Sequence, residues 1–270
     1  MIDYRTYFQT TPPPALTAAQ EKSPFARFYY EPVTNPSEEL LAAIETQMPV
    51  EEALDFADIE QIFLDEPGIR NGWCILPDGT AFSSVETKMP NVTPENEAWW
   101  GQWMMDPAYD YLNYRIWMPG LHVSHAMPII EDLGWGTVAI TMFQPLFPPV
   151  LLKGKDPKEL NENYIMVMGA SGYNVPVDDP DGEKFYSVLI SCVKKDGEGI
   201  KVQTVNYIGM KWEDGKLVKV HDADPVLSQL FFAHNVYEFH HKKEIAKKLY
   251  DAAEELPNRG LNSEIRVFPS

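Results

Sequence analysis

Residues 224–256 read DPVLSQLFFAHNVYEFHHKKEIAKKLYDAAEEL, and the fold turns on how this stretch is interpreted. Asp224 can accept hydrogen bonds from the first free amides of a helix, and Pro225 suits a first turn, where no backbone N–H is needed. Leu227, Leu230, Phe231, Tyr237, Ile245 and Leu249 follow helical spacing better than alternation. The stretch therefore predicts one long helix reaching about Glu255, with Pro257 ending it.

Upstream of that helix the chain reads as strands. The expected strands are Tyr111–Trp117, His122–Glu131, Thr137–Gln144, Tyr164–Met168, Lys184–Lys194 and Ile200–Met210, separated by Gly-, Pro- and Asp-bearing turns. Before them, Gly72–Thr87 predicts a hairpin around Pro77-Asp78-Gly79. Thr93 and Pro94 then open a helix to about Met105, whose Trp99, Trp100 and Trp103 are expected in the core. This order is an α+β pattern: a curved antiparallel sheet gripping the long C-terminal helix. Residues 1–68 look different. Residues 1–36 are rich in proline and aromatics without a clear period, and are expected to wrap the surface. Ser37 caps an expected helix over Glu38–Thr46, and a second is expected over Glu51–Phe63. The predicted organisation is an N-terminal appendage of residues 1–68 and a main domain of residues 69–270, with the appendage offering a homodimer contact.

Charge narrows the partners. Forty acidic residues against 22 basic ones give a formal charge of −18, a field that repels phosphate backbones and anionic membrane surfaces. Cys74 and Cys192 lie far apart, without CxxC spacing, as expected in a reducing compartment. The N-terminus has neither a basic leader nor an apolar core, and no apolar run approaches the roughly 18–20 residues of a bilayer span. A cytoplasmic protein with a small-molecule partner is the expectation.

Five of the six histidines fall in two clusters, His122 with His125, and His234 with His240 and His241. His234 and Glu238 stand four apart on the expected helix, one turn apart on one face. Such a pair more often marks a solvated face, but here Phe231, Phe232 and Val236 flank the histidine. An imidazole and a carboxylate so placed make half of a zinc site, which takes three or four N and O ligands. The other half would come from the sheet, where His122 follows a Pro-Gly turn and Glu131 interrupts an apolar run. From the residues alone, a turn histidine and a solvated strand-end carboxylate explain these two equally well.

Four blocks carry a resemblance: Trp99-Trp100, Tyr114-Arg-Ile-Trp-Met-Pro-Gly-Leu-His122, Ile130-Glu131-Asp-Leu-Gly and His234-Asn-Val-Tyr-Glu238. Over roughly residues 70–255 the chain resembles the 2,4-diacetylphloroglucinol hydrolase and phloretin hydrolase family. The resemblance implies a helix-grip domain (Bet v1- or START-like) and a single zinc held by His122, Glu131, His234 and Glu238, with Gln144 or Glu159 as alternatives to Glu131. It implies that Tyr114 and Tyr207 contact phenolic hydroxyls. The family also carries an acid–base histidine on the strand that here reads Ile190-Ser191-Cys192-Val193, where Cys192 is the candidate replacement and His125 the candidate for proton transfer.

The implied activity is hydrolysis of the aryl–acyl carbon–carbon bond of an acylated phloroglucinol, a phenolic ketone, with zinc polarising the acyl carbonyl and activating water. Two carboxylates and two neutral histidines would leave such a site formally uncharged, so a stabilised enolate leaving group must supply much of the driving force. Two alternatives remain open: a metal-dependent enzyme of this fold acting on another aromatic ketone, and a non-catalytic binder of an aromatic or lipid ligand.

Overall fold

The C-terminal stretch forms a single helix, Pro225–Ala253, and its start is fixed as the sequence predicts. Asp224 Oδ1 accepts from the amides of Val226 and Leu227 at 2.7 and 3.1 Å, a cap of the kind that contributes about 1 kcal/mol. The computed structural model describes residues 4–66, 68–125, 129–132, 138–146 and 151–262, with the backbone alone at 4, 9, 129, 131, 132, 138–141 and 143–145.

The helix lies on an antiparallel sheet built from β1 (Gly72–Ile75), β2 (Ala81–Met89), β3 (His122–Ser124), β4 (Ile129–Asp132), β5 (Val138–Leu146), β6 (Tyr164–Pro176), β7 (Phe185–Asp196) and β8 (Gly199–Ile208). Their spatial order is β1-β2-β8-β7-β6-β5-β4-β3. A separate hairpin joins β9 (Met210–Glu213) to β10 (Lys216–Lys219), beyond the last strand expected from the sequence, which ended at Met210. The architecture is thus α+β, with an antiparallel sheet and a long C-terminal helix. No helix among the described residues is long and apolar enough to cross a membrane.

Strand alternation divides the sheet into two faces. Along β8, Ile200 and Val202 join the core under the C-terminal helix with Phe232, Val236 and Phe239. Val205 and Tyr207 join a second core on the other face with Ile59, Ile62 and Phe63. The middle of the helix is buried nearly all round because α2 (Glu38–Glu45), after α1 (Tyr4–Thr10), covers its far side together with Val33 and Leu121. The tryptophan helix is α3 (Pro94–Met104), capped by Thr93 and Asn96 in a reciprocal box. Trp99 and Trp103 stack at 5.4 Å and Phe25 meets Trp103 edge-on at 5.3 Å, as the core reading of these tryptophans predicts.

Three expectations need correction. Tyr111–Trp117 is no strand: Leu112–Trp117 is a short helix, α4. Leu112, Tyr114 and Ile116 alternate in a way that mimics a strand over so short a window. Asp110 and Tyr111, at φ 48° and 64°, turn the chain so that a helix follows instead. Glu51–Phe63 is not one α-helix but two 3-10 segments, Val50–Glu52 and Phe56–Phe63. Asp55 accepts from the amide of Ala57 and restarts the chain between them. Nor do residues 1–36 stay on the surface, because Phe25, Phe28 and Tyr29 are buried in the helix-side core.

Candidate metal centre

His122 begins β3, directly after the turn at Pro119-Gly120, where Gly120 takes φ 88° without steric cost. The expected strand His122–Glu131 is in fact two antiparallel strands, β3 and β4, and the register pairs His122 with Glu131. Tyr114 lies flat on the His122 ring at 3.9 Å and 3°, and Trp117 meets it edge-on at 5.1 Å. These two aromatics, three apart on one face of α4, clamp the imidazole plane. Nδ1 of His122 lies 3.2 Å from the carbonyl oxygen of Tyr114. A carbonyl only accepts, so Nδ1 carries the proton of the neutral ring and Nε2 presents its lone pair.

That lone pair points at the helix. His122 Nε2 is 3.1 Å from His234 Nε2, and each of these nitrogens is 3.6 Å from Glu238 Oε2. A point about 2.0 Å from all three atoms lies within this triangle, matching Zn–N and Zn–O bond lengths of about 2.0–2.2 Å. The donor set fits a zinc ion. Burial, reinforced by His234, holds the His122 pKa well below its ordinary value, so the ring is neutral at pH 7, the form a metal requires. His122 and Glu238 are buried, while the His234 side chain keeps 15% exposure and marks the open side of the cluster.

The other expected site residues divide. Glu131 stands opposite His122 in register, but its side chain lies outside the described atoms, as does that of Gln144. Glu159 is exposed on the short helix Pro157–Leu160, which contacts the Phe56–Phe63 segment on the other side of the sheet, so it is no ligand here. His125 is half-buried against the edges of Tyr111 and Tyr114, both at 5.4 Å, rather than among the converging atoms. Its Nε2 lies 3.2 Å from Asn113 Oδ1. The Asn113 amide nitrogen is already turned to the carbonyls of Trp103 and Met104. His125 Nε2 therefore donates to Asn113 Oδ1, and backbone groups of His125 and Met104 also hydrogen-bond the ring. Burial lowers its pKa.

Tyr207 is a correction. It points to the far face, packs on Phe56 and Phe82, and donates its hydroxyl to the carbonyl of Leu54 at 3.0 Å. A phenol on that face cannot reach a ring bound beside His234. Cys192 fails for the same reason: it is buried in the far-face core, and burial pushes its thiol up to about 12. On β7 the helix-facing residue is Ser191, bonded to Thr204 at 2.8 Å. A cavity of about 570 Å³ also opens on the far face, lined by Phe56, Tyr207 and Trp212. It lies away from the histidines, and we give it no part in their chemistry.

The sequence reading missed residues that hold the cluster. Trp117 Nε1 donates to the Glu238 carbonyl at 3.1 Å, and Asn235 Nδ2 donates to Glu238 Oε1 at 2.7 Å. Asn235 sits inside the His-x-x-x-Glu block, and its neighbours were the only signal available. Residues 54–133 match the DAPG hydrolase PhiG domain. That match supports assignment to the diacetylphloroglucinol and phloretin hydrolase family, a family of hydrolases. The PhiG-domain segment contains Tyr114, His122 and Glu131 but neither His234 nor Glu238. No curated protein sequence matches the chain significantly.

Proposed function

We propose that this chain is a zinc-dependent hydrolase that cleaves the aryl–acyl carbon–carbon bond of an acylated phloroglucinol, releasing a phloroglucinol and a carboxylic acid. One observation carries the reading. His234 and Glu238, outside the PhiG-domain segment, converge on His122 within it at distances suited to one metal ion. A non-catalytic binder would not need these donors to meet.

We read the sheet and its long helix as a helix-grip domain, with residues 1–68 as cover for both faces of the sheet. His122, His234 and Glu238 would hold the zinc, and Glu131, opposite His122 in register, is proposed as the fourth ligand. When bound, zinc supplies Lewis acidity toward the acyl carbonyl and lowers the pKa of water. In the balanced reaction, water gives its hydroxyl to the acyl carbon, the aryl–acyl bond breaks, and the ring carbon takes up a proton. Tyr114, stacked on His122, would orient a ring hydroxyl as negative charge gathers on the ring. His125, against the Tyr114 ring, is the proposed proton carrier.

The side chain of Ser191 in place of a histidine favours a second reading, the same metal chemistry on a different aromatic ketone. A panel of acylphloroglucinols and simple aryl ketones, assayed before and after zinc stripping and zinc return, separates the two. Zinc-dependent release of phloroglucinol supports the first reading. Zinc binding with turnover only on other ketones supports the second, and no zinc-dependent turnover contradicts both.

A further inference from the structure

A carboxylate that lends one oxygen to a metal must be kept from turning, and Glu238 is held by a chain of amides running from helix to sheet. Glu238 Oε1 accepts from Asn235 Nδ2 at 2.7 Å. Asn235 Oδ1 accepts from Asn206 Nδ2 at 2.7 Å, and the same Nδ2 lies 3.2 Å from Ser83 Oγ. All four residues are buried. Ser83 and Asn206 are register partners on β2 and β8, two strands that are each paired on both sides. The chain of bonds therefore ends on a part of the sheet that is braced from both directions.

Its polarity is set from the carboxylate end. An ionised carboxylate only accepts, so Asn235 turns its amide nitrogen to Glu238 and has only its oxygen left for Asn206. Asn206 must then present nitrogen, which is also what Ser83 Oγ can accept. Each amide has one workable orientation, and together they leave Glu238 Oε2 facing the two imidazoles.

We propose that Asn235 and Asn206 are positioning residues of the metal centre, fixing the carboxylate of Glu238 so that Oε2 alone is offered to the ion. This rests on the metal-site reading above. It also explains why an asparagine follows His234 directly: at that position it is three residues before Glu238 and reaches back across the helix–sheet interface.

Asn206→Asp tests the polarity with little change of shape. Aspartate offers only oxygen, so Asn235 must turn its nitrogen toward it and its oxygen toward Glu238. Zinc affinity of the zinc-stripped full chain, measured with zinc ion alone against a competing chelator, should fall roughly 10- to 100-fold, the range for residues that orient metal ligands. Asn206→Ser, which leaves the Asn235–Glu238 bond in place, should lose less and serves as well if the aspartate variant folds poorly. The zinc-induced rise in Tm should shrink in both variants. A purely structural role would lower the Tm of the zinc-free chain and leave that rise intact. Zinc affinity in both variants within about twofold of the unaltered chain overturns the proposal and leaves the metal centre standing. Failure of the unaltered chain to bind zinc overturns the metal centre and the positioning role together.

Discussion

Asn206 and Tyr207 are neighbours on β8, yet they serve opposite faces of the sheet. Asn206 turns to the C-terminal helix and joins the polar chain that ends on Glu238. Tyr207 turns to the N-terminal 3-10 segments and is satisfied by the carbonyl of Leu54. The helix-side face runs a chain of amides onto one carboxylate beside two histidines, whereas the far face gathers Lys194, Lys201, Gln203 and Glu86 around Asp65 with no histidine among them. Lys194 is fully buried there, with its ammonium on the Leu64 carbonyl and 4.0 Å from Asp65. One residue of register separates chemistry from packing, because side chains alternate with a period of two.

The largest expected effect sharpens this contrast at its polar end. Glu238→Gln removes the only described negative charge of the donor triangle. Residues that merely orient ligands cost roughly 10- to 100-fold in metal affinity, so this substitution should exceed about 100-fold. Chelator competition measures it, and near-normal affinity would remove Glu238 from the site.

The two tyrosines compare the faces directly. Tyr114→Phe should keep its zinc and lower turnover on an acylphloroglucinol by roughly 10²-fold, the lower end for losing a donor to developing charge. Tyr207→Phe should leave turnover unchanged and cost about 1 kcal/mol of stability for one lost hydrogen bond. Steady-state kinetics and urea unfolding on both variants decide it. A slow Tyr207→Phe with a normal Tyr114→Phe would reverse the assignment of faces.

A smaller effect comes from His241, one turn beyond Glu238 on the helix. Burial, with a lesser contribution from His240, lowers its pKa to about 4, and the nearby Ile116 backbone offsets this only in small part. The folded chain therefore binds fewer protons than the unfolded chain below the ordinary histidine pKa. Stability is full above about pH 6.5 and falls as the pH drops toward 4. Between pH 6.5 and 5.5 this one group should cost about 1 kcal/mol. Urea unfolding at the two pH values should show that loss in the native chain and less of it in His241→Leu. Equal slopes would mean that His241 is protonated in the fold. The smallest effect is expected of Glu159→Gln, a surface change worth within about 0.5 kcal/mol and silent toward zinc.

Much of this was legible in the sequence because it depends on local spacing. His234 and Glu238 share a face by helical periodicity alone, and Asp224, Thr93 and Ser37 cap the helices they were expected to cap. The Pro77-Asp78-Gly79 hairpin formed for the same reason. What could not be read depends on parity or on distant partners. Tyr207 was misplaced because nothing within its block fixes which face β8 presents. The α4 segment looked like a strand because six residues cannot distinguish the two periods. Asn206 and Asn235 drew no notice because an asparagine gains meaning only from the partner that a distant strand brings to it.

The central claim is that His122 from the sheet and His234 from the helix share one ion with Glu238, and zinc content per chain tests it most directly. Elemental analysis of the purified native protein should find close to one zinc per chain. His122→Ala and His234→Ala, each shown to be folded by circular dichroism, should each lose most of it. Native-level zinc in both variants, or none in the native chain, would contradict the account.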